Sequence, residues 1–366
     1  MEDLFRFADE FGPAKIIHIY EPTTGLKAIV VIDNVAAGPG IGGVRLAPDV
    51  SVEEAFRLAR AMTMKSAAAG LPHGGAKAVI FGDPNMPLGD KERLMRAFGR
   101  AIRDLKDYIP GPDMGTNEQC MAWVKDETGR AIGLPAATGG IPLDEIGATA
   151  WGVVAAAGVA GRYCQLDLAG ARVAIQGYGS VGKHAARFLS ERGAKIVGVA
   201  DISGALHDPN GIDVAGLTAH VEACGLVGEF ANGAVLDRDE VVAIPCDILI
   251  PAARPDVITA DNVNRVDTKL IIEGANIPVS VEAETALHRR GVITVSDFIA
   301  NAGGLICGAA ELCGSTPGEA LDIIERKVRE NTEVVLEHSH DSGITPRRAA
   351  LDIAEGRLRA AMEAHR

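Results

Sequence analysis

The chain is short of basic charge: 36 lysines and arginines stand against 49 aspartates and glutamates, a formal net charge of −13. Phosphate backbones and anionic bilayers are met by basic surface, so neither a nucleic-acid nor a membrane partner is expected. The six cysteines (Cys120, Cys164, Cys224, Cys246, Cys307, Cys313) form no CxxC pair and no His/Cys cluster. That argues against structural zinc, and no metal is expected. Apolar contexts such as IPCDILI and GLICGAAELCG read as reduced, mostly buried thiols. No uninterrupted apolar run reaches bilayer length. The opening MEDLFRFADEFG has acids where a signal peptide has a basic region. A cytoplasmic protein is expected.

What is present suits a large α/β protein. A chain of 366 residues, 47% hydrophobic and with 43 glycines, is too long for one ordinary core and suggests two domains. The Gly/Pro-rich GLPAATGGIPLDEI (133–146) marks the boundary, giving a first domain over 1–140 and a second over 141–334.

Along the first domain, residues 1–12 read as a short amphipathic helix with Leu4, Phe5, Phe7 and Phe11 on one side. KIIHIYEP and LKAIVVIDN, separated by TTG, read as a hairpin or as neighbouring strands. GPGIGGVRL (38–46) reads as a glycine-rich loop in which Gly42 and Gly43 allow close backbone approach to a ligand. SVEEAFRLARAMTMKSAAAG is a helix with Ser51 as N-cap and Glu54 completing a capping box, so Lys65 falls on its last turns. KAVIF is a strand that starts at Lys77. GDKERLMRAFGRAIRDLKD is a second helix, and YIPGPDMGTN presents Asp113 in a loop between Gly111, Pro112 and Gly115.

Lys65 and Lys77 lie in small, apolar surroundings around Gly74 and Gly75, with no acidic residue until Asp83. A lysine near a second cation in a poorly solvated site has a lowered pKa, which suits it to polarising a carbonyl or handling a proton. The plainer alternative is a small-residue helix and a turn whose lysines reach outward. For Asp113 the plainer alternative is a turn or capping aspartate.

The second domain carries the most readable motif. Strand 172–176 runs into Gly177-Tyr178-Gly179-Ser180-Val181-Gly182, which opens a helix; KIVGVAD then ends at Asp201, 24 residues after Gly177 (201 − 177). Alone, GxGxxG is weak, but here the strand, helix, second strand and terminal acid are all in place. The glycines permit a tight turn and bring a pyrophosphate to the helix N-terminus. Asp201 would accept ribose hydroxyls and repel a 2′-phosphate, and Ile202 and Ser203 offer no cation to hold one, so NAD is favoured over NADP. CDILIPAA, KLIIEGAN and VITVSDF continue a doubly wound pattern, ending at Ala252-Ala253, Asn276 and Asp297. Asn276 is placed to meet the nicotinamide carboxamide, or is a turn asparagine. NAGG (301–304) starts a long helix, and two amphipathic helices close the chain.

In order, GPGIGGVRL, MTMKSAAAGLPHGGAKAVI, GPDMGT, ATAWGV, GYGSVG, PAARPDVI, EGANIP and NAGGL resemble the glutamate/leucine/phenylalanine/valine dehydrogenases over nearly the whole chain, with the leucine/phenylalanine branch nearest. The resemblance implies an N-terminal α/β substrate and oligomerisation domain, completed by C-terminal helices at about 335–366, and a Rossmann-type doubly wound NAD-binding domain. It implies a homo-oligomer acting on a small-molecule amino acid. It also implies that Lys65 holds the substrate α-carboxylate, Lys77 polarises the carbonyl or water at the α-carbon, and Asp113 shuttles a proton to and from the amine. Gly42, Gly43, Met62 and Asn301 join the substrate site, and Thr149 the cofactor site.

Members acting on glutamate carry a lysine where this chain has Ile41, and a serine where it has Gly308. Losing both removes the partners of a γ-carboxylate, whose unpaired burial is costly. With Gly111, these residues suggest an apolar pocket, the two glycines leaving room for a side chain larger than leucine. The expected function is oxidative deamination of a Leu/Val/Ile-type or Phe/Trp-type L-amino acid. The alternatives are a glutamate dehydrogenase that holds its substrate from other positions and a catalytically silent sensor of NAD or an amino acid. Asp144 and Glu145 depart from the family pattern; they either cap the following helix or contact a basic substrate group.

Overall fold

The structure, a computed structural model, describes residues 5–231 and 233–364. Two compact units emerge: Met1–Pro142 with Leu305–Ala320 and Ile353–Arg366, and Leu143–Gly304 with Leu321–Asp352. The C-terminal contribution to the first unit therefore comes in two pieces, not as the single stretch 335–366 expected.

The first unit is built on β1 (Lys15–Glu21), β2 (Leu26–Asn34), β3 (Gly40–Ala47), α1 (Val52–Ala68), β4 (Gly74–Phe81), α2 (Leu88–Ile102), β5 (Tyr108–Pro112) and α3 (Glu118–Thr128). The strand order is β1-β2-β4-β3-β5. Of the two arrangements left open for them, β1 and β2 form the antiparallel hairpin, and β3 runs parallel to both β4 and β5. Side chains alternate across the sheet. Val44, Leu46, Ala76, Ala78, Ile80 and Tyr108 face the main core with Phe98, Met121 and Trp123, while Val31 and Val79 pack under Ala55 and Ala59 of α1.

Four local expectations change. GPGIGGVRL is not a loop: it is a central strand, because small residues let β3 fit between β4 and β5. β4 begins at Gly74, so Lys77 sits inside the strand. Tyr108–Pro112 is a strand too, tolerated with two prolines because β5 is an edge. At the N-terminus Phe5–Phe7 form a turn, not a helix, and Leu4 lies outside the described residues. Asp9 Oδ1 accepts the N–H groups of Phe11 and Gly12 at 2.9 and 3.2 Å, so a side-chain turn replaces helical bonding.

The second unit contains α4 (Ala148–Tyr163), β6 (Arg172–Gln176), α5 (Ser180–Glu191), β7 (Lys195–Ala200), β8 (Ala205–His207), α6 (Val214–Cys224), β9 (Ala234–Leu236), β10 (Ile248–Pro251), β11 (Leu270–Ile272), α7 (Val281–Arg289), β12 (Ile293–Val295) and α8 (Asp297–Ala300). α9 (Gly303–Leu312), α10 (Pro317–Ser342) and α11 (Pro346–Ala364) complete the chain and are divided between the units. The seven-stranded sheet runs β12-β11-β10-β6-β7-β8-β9, parallel from β12 to β7. β6 is the turning point: the chain goes first to β7 on one side, then to β10 on the other. Such a switch point places a ligand crevice at the carboxyl ends of the strands.

Candidate active site

In the first unit, the register sets Ile41 of β3 beside Gly75 of β4 and Ile109 of β5, and Gly43 beside Gly111. Ile41 and Gly43, Gly75 and Lys77, and Ile109 and Gly111 are i, i+2 pairs, so they share the face that α1 covers. α1 lies close enough that a Cβ on Gly75 would strike the backbone of Thr63. Met62 and Lys65 flank that contact on α1, both half-buried. Asp113 follows the end of β5. A Cβ on Gly43 would lie 2.8 Å from the Asp113 Cβ, so glycine there admits the carboxylate onto the sheet face. Gly42 meets the Ala76 carbonyl and accepts the buried Tyr108 hydroxyl at 3.0 Å.

Lys77 and Asp113 form an ion pair, their side chains only 8% and 15% exposed. Asp113 is fixed by its own loop: its N–H donates to the Thr116 hydroxyl at 2.9 Å, and its Oδ1 accepts the Met114 N–H at 2.6 Å. Arg45 lies 3.4 Å from Asp113 Oδ1 and pairs with Glu54. Burial above all, and then the Arg45 guanidinium, push the Lys77 ammonium down to about 7, while Glu54 acts the other way. The Asp113 contact also favours the charged form of Lys77. However, Asp113 divides its charge between two cations, and the downward direction prevails.

The sequence reading set Lys77 beside Lys65, but the cation that lowers Lys77 is Arg45. Arg45 was not singled out in the sequence, where GVRL looks like an ordinary strand end, and Glu54 was singled out only as the second half of a capping box. Ser51 does cap α1, accepting the Glu54 N–H at 3.1 Å, but the Glu54 carboxylate pairs with Arg45.

The expected room at Gly111 and Gly308 is occupied. A Cβ on Gly308 would lie 2.7 Å from Ile132 Cδ1, and one on Gly111 would lie 3.0 Å from Ile132 Cγ1. Ile132, which the sequence did not flag, fills the gap between the two glycines.

In the second unit, Gly177 turns the chain at φ +100° and packs on Ala253, while Gly182 packs on the Gly177 carbonyl. Gln176 Oε1 accepts the Ala253 N–H at 3.3 Å, tying Ala252-Ala253 to the same turn. Gly179 is the N-cap of α5, and none of the described residues caps it with a side chain. Its first-turn N–H groups thus suit an anion. Tyr178 is buried, its hydroxyl 2.8 Å from Thr218, so this residue serves the turn through its backbone. Asp201 ends its strand half-buried, accepting the Val227 N–H at 2.8 Å and the Ser203 N–H at 2.7 Å; Ile202 beside it is exposed. Thr149 packs against Gly303 and Gly304, and Val181 against Gly274. The Asn301 amide donates to Asn276 Oδ1 at 3.0 Å, which brings these two predicted residues together. Asp144 accepts the Ser180 hydroxyl at 3.1 Å. It does not cap the following helix, α4, whose N-cap is Gly147.

A family model described as Glu/Leu/Phe/Val dehydrogenase, dimerisation domain, matches residues 13–130, and one described as Glutamate/Leucine/Phenylalanine/Valine dehydrogenase matches 139–366. The chain belongs to this family. It is thus an amino acid dehydrogenase, an oxidoreductase that acts on amino acids and uses NAD. A glutamate dehydrogenase of Aeropyrum pernix is 38% identical over 322 residues, covering 83% of this chain and 77% of the relative. An NAD-specific glutamate dehydrogenase of Staphylococcus aureus is likewise 38% identical, over 320 residues, with the same coverage. Among solved structures, a hetero-hexameric glutamate dehydrogenase from Thermus thermophilus in a Leu-bound form superposes with a TM-score of 0.85 at 30% identity, covering 97% of this chain and 90% of that one. An L-tryptophan dehydrogenase from Nostoc punctiforme superposes at 0.77 and 25% identity, covering 96% and 98%. Among the described residues of this amino acid dehydrogenase, no helix is long and apolar enough to cross a membrane.

Proposed function

We propose that this family member carries out the reversible, NAD-dependent oxidative deamination of an L-amino acid with an apolar side chain, giving the 2-oxo acid and ammonia. Ile41 carries the reading. It is 1% exposed, on the sheet face that also bears Gly43 and Lys77, at the position where glutamate-specific members place a lysine. A γ-carboxylate there would be desolvated without a partner. In this reading Lys65 receives the α-carboxylate. Bound NAD, held at the α5 N-terminus with Asp201 on its ribose, supplies the hydride acceptor. Loss of hydride from the α-carbon leaves an imine to which water must add. Lys77, whose ammonium gives up its proton near pH 7, then takes a proton from that water and stabilises the developing oxyanion as it becomes charged again, while Asp113 carries a proton to the departing amine. In this reading Asn276, bonded to Asn301, would meet the cofactor's carboxamide. The enzyme works as a cytoplasmic homo-oligomer.

The glutamate alternative draws its support from the two 38%-identical relatives. A silent sensor would have no use for an acid–base pair backed by Arg45 and Glu54. Initial rates of NAD reduction at alkaline pH over Leu, Val, Ile, Phe, Trp and Glu, for the native protein and Ile41→Lys, test the reading. It predicts that apolar substrates win and that the variant moves toward Glu. Preference of the native protein for Glu would overturn the substrate assignment. No reduction with any amino acid would favour the sensor.

A further inference from the structure

The gap between Gly111 and Gly308 is filled from a third direction. Ile132 belongs to the segment after α3, and its N–H donates to the Pro110 carbonyl at 2.9 Å, so it runs along the outer side of β5. Its side chain is 8% exposed and touches the places where side chains at 111 and 308 would stand, with Cδ1 within 3.3 Å of the first and 2.7 Å of the second. Branching at Cβ leaves isoleucine few rotamers, so the terminal methyl has a set position. The segment is also anchored. Glu311, three residues beyond Gly308 on α9, accepts the Ile141 N–H at 2.9 Å and the Leu134 N–H at 3.3 Å. The same helix therefore provides a bare glycine against Ile132 and a carboxylate that holds both ends of the loop that follows it.

We infer that Ile132 is the specificity-determining residue that sets the largest side chain the substrate can carry, and that Glu311 is its positioning residue. This rests on the apolar-substrate reading of Gly111 and Gly308. In place of two side chains on separate elements, one isoleucine bounds the pocket, and trimming it enlarges the pocket without touching Lys65, Lys77 or Asp113.

The test is kcat/KM for Val, Leu, Phe, Trp and Glu in the native protein, Ile132→Val, Ile132→Ala and Glu311→Gln, with thermal melts and NADH titration as controls for folding and cofactor binding. Removing a few carbons from a hydrophobic wall changes discrimination by about tenfold or more. The Phe/Leu and Trp/Leu ratios should rise by about tenfold in Ile132→Ala and by less in Ile132→Val, with NADH affinity unchanged. Glu311→Gln, which gives up one acceptor, should move the same ratios the same way, whereas mere loss of stability would lower all substrates alike. Unchanged ratios in folded Ile132→Ala overturn the inference. A native preference for Glu overturns the function reading instead, and Ile132 is then judged by the same large-to-small ratios. To place the contact, Gly308→Ala should lose activity that Ile132→Ala/Gly308→Ala regains; no rescue counts against the packing described.

Discussion

Two buried clusters of charge, one from each unit, are built to opposite ends. In the first, Lys77 and Arg45 face Asp113 and Glu54, two cations to two anions, with side chains 8–33% exposed. In the second, Arg347 of α11 alone meets three carboxylates: Glu273 at 2.6 Å, Glu284 at 3.0 Å and Asp297 at 3.0 Å, which are 0–9% exposed. Burial pushes Glu273 up to about 8 although Arg347 opposes it. One guanidinium cannot balance three carboxylates, and Glu273 Oε1 has no hydrogen-bond partner among the described residues. The second cluster fastens the start of α11 to the ends of β11 and β12 and to α7. Both clusters perturb pKa values, so a shifted pKa does not by itself mark catalysis. What separates them is that the first lies on a sheet face bared by glycine and keeps its charges in balance.

The largest contrast should come from the lysine. Lys77→Met should lower kcat about a thousandfold while melting temperature and NADH titration stay near native; a loss under tenfold would remove Lys77 from the chemistry. Arg347→Met should do the reverse, costing about 3–5 kcal/mol by stranding buried carboxylates. That cost is read as a fall in the urea midpoint with kcat kept in the folded fraction. Glu273 adds a pH signature. Its folded value lies above the ordinary 4.5, so between about pH 4.5 and 8 the folded state holds a proton that the unfolded chain has released, and stability falls as pH rises. Glu273→Gln should flatten that slope in melts across the window. The smallest effect is on the rate profile. Activity should rise as Lys77 loses its proton near pH 7. Arg45→Gln should move that limb about one unit alkaline and Glu54→Gln about one unit acid; shifts of the same sign would break the assignment.

Much of this was legible in the sequence because local signals sufficed. GYGSVG between two strands, with Asp201 at the end of the second, needs only short-range geometry, and the hairpin of β1 and β2 follows from alternation and TTG. Lys77 drew notice by its small, apolar surroundings, whereas the role of Asp113 came from the family resemblance. Arg45, Ile132 and the pairing of Glu54 with Arg45 did not stand out, because each acts across the fold. Arg45 meets Asp113 from 68 residues away in sequence, and Ile132 reaches Gly308 from another part of the chain. The glycines misled for the same reason: a missing side chain tells of space, but not of what fills it. At Gly111 and Gly308 that was an isoleucine.

The prolines of β5 carry one more consequence. Pro110 and Pro112 have no N–H, and the Pro110 carbonyl is already taken by Ile132. That side of the sheet offers almost nothing for a foreign strand to pair with. Any sheet that continues from one copy of the chain into another must therefore be joined at β1, whose partly exposed residues end the opposite side.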